Sequence, residues 1–121
     1  LRRIRLTAAA EADILMLLAW TDERFGDVAR RRYEALLATA LRDLSADPAR
    51  PGVVLRHDLG DGVCLYHLRH SRNRVSPEIG LVRRPRHLLL FRQVAPDTLG
   101  IGRVLHDAMD ADRHGTGVDD T

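Results

Sequence analysis

AAAEADILMLLAWTDERFGDVARRRYEALLATALRDLS (8–45) is the stretch on which the fold turns. Just before it, Thr7 can cap a helix, and Glu11 and Asp13 suit the positive dipole end of its first turns. The first helix is expected to run to about Arg24. Its middle, ILMLLAW (14–20), is apolar nearly all round, which predicts deep cover on every side. Gly26 interrupts the pattern, and Asp27 can cap a second helix over roughly Val28–Ser45. Tyr33, Leu36, Leu37, Ala40, Leu41 and Leu44 recur at helical spacing and make one stripe. Arg30, Arg31, Arg32, Glu34, Arg42 and Asp43 lie largely off it. Two long helices joined by so short a link form an antiparallel αα-hairpin. Asp47-Pro48 and Arg50-Pro51-Gly52 end it.

Outward from the hairpin the pattern becomes that of strands. RRIRL (2–6) alternates charged and apolar residues, as a short strand does. VVLRHDL (53–59) reads either as a strand or as an irregular connection. Asp61-Gly62 marks a turn into a strand, VCLYHL (63–68). SRNRVSPEIG (71–80) reads as a loop or a poor hairpin. HLLLFRQV (87–94) and LGIGRVLH (99–106) are strands joined by the turn Ala95-Pro96-Asp97. The domain is expected to span 1–114, and the polar residues 115–121 to form a disordered tail. No internal repeat is present. The fold class is therefore α+β: an N-terminal strand, then an αα-hairpin packed on a mainly antiparallel sheet of about four strands.

The 121 residues suit one domain with a modest core. No apolar run approaches the ~20 residues that span a bilayer, so no membrane role is expected. The lone cysteine, Cys64, excludes an internal disulfide, reads as a small buried hydrophobe, and fits a cytoplasmic setting. The formal charge of +2 is unevenly placed. Every basic residue is arginine. Tyr66–Arg92 holds seven arginines against one acid, Glu78, while Asp107, Asp110, Asp112, Asp119 and Asp120 crowd the C-terminal end. Such asymmetry implies an oriented electrostatic surface. His67 and His70 are three apart in or near a strand, which puts them on opposite faces, so no metal site is expected. Gly100-Ile101-Gly102 is too short for a phosphate loop, and no cofactor is expected.

Three segments resemble the ParE toxins of the ParE/RelE superfamily. LTAAAEADILMLLAWTDERFG (6–26) is similar to the family's opening, where a strand leads into a helix with A-E-x-D-L and an aromatic-Gly end. RPRHLLLFRQV (84–94) resembles its G-R-H-x-I-x-Y-R-V. IGRVLHDAMDADRH (101–114) closely resembles its C-terminal I-x-R-V-L-H-x-x-M-D-x-x-R-H. The basic stretch LRHSRNRVSPEIGLVRR (68–84) is longer than the family's usual connection.

The resemblance implies the toxin of a type II toxin–antitoxin pair. It further implies poisoning of DNA gyrase by binding, neutralisation by a ParD-like antitoxin, and DNA contact only through the antitoxin complex. Arginine suits bidentate pairing to carboxylate or phosphate. Candidate target contacts are Arg83, Arg84, Arg86, Arg103, His106 and Arg113; candidate antitoxin contacts are Arg69, Arg72, Arg74 and Arg92. Arg103 and His106 face opposite sides of a regular strand, and His106, Asp110 and Arg113 are spaced to interact. No catalytic residue is expected under this reading. Two alternatives stay open. One is ribosome-dependent mRNA cleavage of the RelE kind, for which Arg86, His87, Arg103 and His106 would form the set. The other is an inactive homologue serving only as a binding module.

Overall fold

The computed structural model describes residues 1–108, so Arg113, Asp110 and the tail 115–121 lie outside the described residues. β1 (Arg3–Leu6) leads into α1 (Ala8–Phe25) and α2 (Asp27–Ala46). β2 (Val54–Leu55), β3 (Cys64–His67), β4 (His87–Ala95) and β5 (Thr98–His106) follow, with 3-10 helices at His57–Leu59 and Leu68–Arg74. The sheet order is β1-β5-β4-β3-β2. Every pairing is antiparallel except β1 with β5, which runs parallel. The α+β class with a helical hairpin on the sheet therefore holds. Five strands form where the sequence led to about four, because Val54–Leu55 of the undecided 53–59 stretch pairs with Leu65 and Cys64.

Thr7 caps α1 as expected, accepting from the Ala10 N–H at 3.0 Å. Asp27 does not cap α2. Gly26 takes the capping position with φ 93°, a conformation that a side chain would strain. Asp27 becomes the first helical residue, and its carboxylate pairs instead with Arg30 at 2.6 Å and Arg31 at 2.9 Å.

The expected deep cover of α1 is not found. Ala10, Leu17 and Thr21 are its buried residues. Leu15, Met16 and Trp20 stand 70%, 71% and 51% exposed. A helix in a two-layer fold meets the sheet on one side and its neighbouring helix on another. A helix that is apolar all round must then leave a stripe in water.

The main core fills the space between hairpin and sheet. It includes Leu36, Leu44, Tyr66, Leu89, Phe91 and Ile101, all almost fully buried. Each such side chain contributes roughly 1.5–3 kcal/mol by leaving water. A smaller cluster of Leu59, Val63, Leu90 and Leu105 covers the other face of the sheet.

Asp43, which lies off the apolar stripe of α2, is nonetheless buried. Its carboxylate accepts from Ser71 at 2.7 Å and Arg74 at 2.9 Å and pairs with Arg50 at 2.6 Å. Burial pushes its pKa up, but the bonds from Ser71, Arg74 and Arg50 outweigh that and hold it below the ordinary carboxylate value. One carboxylate thus ties two basic loops to α2. We expect Asp43→Ala to lower unfolding stability by about 3 kcal/mol in urea titrations, because it strands a largely buried Arg50. Glu34→Gln, which removes an exposed partner of Arg30, should change stability by no more than about 0.5 kcal/mol.

Candidate functional site

β4 and β5 place His87 opposite His106 at the end of their ladder. The next residues outward are Arg86 and Asp107, and the Asp107 N–H donates to the Arg86 carbonyl at 2.7 Å. The same register puts a guanidinium beside a carboxylate. Arg86 donates to Asp107 from Nε at 3.0 and 3.1 Å, and its Nη2 lies 2.9 Å away. His67, at the end of β3, donates from Nε2 to the same carboxylate at 3.1 Å, with its own Nδ1 accepting from the Arg69 N–H. The Arg86 hydrogen bond is the main reason that the Asp107 pKa falls to about 2.

Tyr33 reaches this cluster from α2. Its hydroxyl lies 2.6 Å from His87 Nδ1 and accepts the Arg86 N–H at 3.1 Å. With the Arg86 N–H on one lone pair, the phenol can give its own proton to His87 Nδ1, which is the tautomer protonated at Nε2. Burial raises the Tyr33 pKa to about 12. Burial, helped by the neighbouring His106, lowers the His87 pKa to about 4. Both groups are therefore neutral near pH 7. The two imidazoles meet edge to face, with centroids 5.2 Å apart. His106 Nδ1 accepts from the Ala108 N–H at 3.0 Å, which likewise leaves its Nε2 as the donor.

Tyr33, Arg86, His87 and His106 line a cavity of about 340 Å³. Trp20 and Phe25 of α1 form one wall, Arg32 and Tyr33 of α2 another, and Leu81, Val82 and Arg84 of the long basic connection a third. A second depression lies alongside, between Met16, Trp20 and the end of β5.

Arg84, Arg86, His87 and His106 thus come together. Arg83 is exposed beside them, and its carbonyl accepts from Arg72 at 2.7 Å. Arg103 points elsewhere, donating to Asp13 of α1 from Nε at 2.7 Å and Nη2 at 2.9 Å. Arg74 is held by Asp43, Arg69 is exposed where the 3-10 helix begins, and Arg92 stands in β4 opposite Gly100. His67 and His70 separate, the latter against the Tyr66 ring. Asp110 and Arg113, expected to interact with His106, lie outside the described residues.

Sequence reading missed Tyr33 and Asp107. Tyr33 sits on the core stripe of α2, where a hydroxyl is invisible to periodicity. Asp107 was grouped with the acidic tail. The β4–β5 register was the available signal, because pairing His87 with His106 implies Arg86 beside Asp107.

The displaced His87 pKa has a testable consequence. A folded pKa of about 4 lies below the unfolded value of ~6.5. The unfolded chain then binds the extra proton between those values. This contribution to stability is complete above pH ~6.5, falls as pH drops toward 4, and is flat below. NMR titration of the imidazole should place His87 near 4. Tyr33→Phe removes the donor that favours the neutral ring, so the His87 pKa should rise by about one unit. An unmoved pKa in that variant would mean that burial alone sets it.

No curated protein matches the chain. The family described as "ParE toxin of type II toxin-antitoxin system, parDE" matches over residues 4–111. That span covers both helices, the sheet and the cavity, so the chain belongs to the ParE toxin family of type II toxin–antitoxin systems.

Proposed function

We propose that this toxin acts by binding DNA gyrase and is neutralised by a ParD-like antitoxin. The observation that carries the antitoxin half is the uncovered apolar stripe of α1. Met16 and Trp20 lie one helical turn apart, Leu15 stands beside Met16, and Phe25, 66% exposed, meets the Trp20 ring. A contiguous apolar patch on a small protein marks a surface that another chain covers. An amphipathic antitoxin segment that folds on binding suits such a stripe. Arg69, Arg72, Arg74 and Arg92 remain the basic candidates for its acidic residues.

Binding rather than catalysis is supported by the state of the two imidazoles. Attack by a ribose 2′-OH needs a general base with a free lone pair. His87 Nδ1 is occupied by Tyr33, and His106 Nδ1 by the Ala108 N–H. With the His87 proton on Nε2, both rings offer donors rather than acceptors. Arg83, Arg84, Arg86 and His106 are the proposed target contacts, and Arg113 joins them on the sequence resemblance. The RelE-like reading keeps one supporting observation, the convergence of Arg86, His87 and His106 on one cavity.

The test is to incubate the purified chain with gyrase, ATP and relaxed plasmid. Lost supercoiling or new linear DNA, reversed by the antitoxin, is the expected result. Intact supercoiling at large molar excess, together with cleavage of ribosome-bound mRNA, would replace gyrase by the ribosome. For the antitoxin, Met16→Glu should weaken toxin–antitoxin affinity about 30-fold by calorimetry, as loss of a central apolar contact does. An unchanged affinity would move the antitoxin off α1.

A further inference from the structure

The cavity under Trp20 has a chemistry that an apolar antitoxin stripe does not explain. Its lining contains Arg32, Arg84 and Arg86 and no carboxylate. Asp107, bonded to the lining residue Arg86, and Asp13, in the adjoining depression, are already taken, the first by Arg86 and His67 and the second by Arg103. Among the described residues, neither Arg32 nor Arg84 is paired with an acid; Arg32 spends its Nε on the Ile79 carbonyl at 3.2 Å. The imidazoles of His87 and His106, donors through Nε2 in the tautomers described above, line the same cavity. Trp20 and Phe25 add an aromatic wall to the same cavity. The Trp20 and Phe25 rings meet at 74°, 5.7 Å apart, and the Arg24 guanidinium lies 5.4 Å over the indole.

We propose that this cavity binds a nucleotide unit, with its base against the Trp20–Phe25 wall and its phosphate at Arg32 and Arg84, beside an Arg86 already held by Asp107. The unit is either a free nucleotide or one residue of a single strand. Aromatic surface beside guanidinium groups is the combination that single-stranded nucleic acid sites use, since every base has a π-face and every phosphate a charge. Guanidinium forks match phosphate oxygens two at a time. The volume of about 340 Å³ falls in the range of small-ligand sites. An acidic peptide side chain is the competing occupant. It needs fewer donors than converge here, and it has no use for a flat indole at the mouth. The proposal holds whether or not gyrase is the target.

Trp20 is the only tryptophan, so selectively excited tryptophan fluorescence of the full chain reports on Trp20, which lines this cavity and the depression beside it. The titrants are a nucleoside monophosphate, the matching nucleoside, inorganic phosphate, a short single-stranded oligonucleotide, and a glutamate-rich peptide. Absorption by the bases is corrected against free tryptophan. Saturable quenching by the monophosphate is expected, with Kd on the order of 0.1–1 mM. Nucleoside and phosphate alone should each bind at least about tenfold more weakly. Arg84→Gln and Arg32→Gln, each checked for native circular dichroism, should weaken the monophosphate about tenfold, while Arg5→Gln on β1 leaves it unchanged. Tighter binding of the oligonucleotide than of the monophosphate assigns the unit to a strand; equal binding assigns it to a free nucleotide. Three outcomes would overturn the proposal. They are no saturable change, equal binding of nucleoside and nucleotide, or saturation by the peptide alone.

Discussion

One edge of one strand governs how this chain closes. β1 pairs with β5 only as far as Ile101, and β5 continues to His106. A strand edge buried without hydrogen-bond partners is costly. The start of α1 supplies them. The Thr7 N–H donates to the Ile101 carbonyl at 3.1 Å, and the Thr7 hydroxyl donates to the Gly102 carbonyl at 2.7 Å while capping the helix. Asp13, just beyond the first helical turn, accepts the Val104 N–H at 2.9 Å and holds Arg103 with both oxygens. Helix α1 therefore docks as a surrogate strand partner, in a position set by these hydrogen bonds together with the burial of Ala10 and Leu17.

That placement has consequences at both ends of the helix. With Thr7 and Asp13 tied to β5, the face carrying Ala10, Leu17 and Thr21 turns inward, and Leu15, Met16 and Trp20 cannot follow. The exposed stripe is thus enforced by polar groups elsewhere on the same helix. The alignment also brings Trp20 alongside His87 and His106, so the aromatic wall and the donor set are positioned by one registration.

The helical hairpin, the β4–β5 hairpin and the ParE resemblance were legible because each is local. Period and turn chemistry over 8–45 and 87–106 suffice for them. The rest depends on partners distant in the chain. Parallel pairing of β1 with β5 joins Arg3 to Thr98, which no local window contains. The two residues of β2 are too few to show alternation. Asp43 looked like any off-stripe charge until Ser71, Arg74 and Arg50 folded over it. The failed expectation for ILMLLAW has a different cause. Periodicity reports how much apolar surface a helix has, and only the layer count says how much of it the fold can cover.

The charge pattern is explained by the same division between internal and external use. Arginine is concentrated between Tyr66 and Arg92, yet the structure spends several of these side chains on itself. Arg74 goes to Asp43, Arg86 to Asp107, and Arg72 to the Arg83 carbonyl. Arg69, Arg83 and Arg84 form no ion pair among the described residues and are exposed. An exposed guanidinium contributes little to stability, so selection for folding does not require these three. Arg83 and Arg84 adjoin the cavity, where Asp107 fixes Arg86 and keeps its guanidinium at the rim. The acids of the fold thus determine which arginines stay free to act outward, and they leave that freedom on the side where Trp20 is also uncovered.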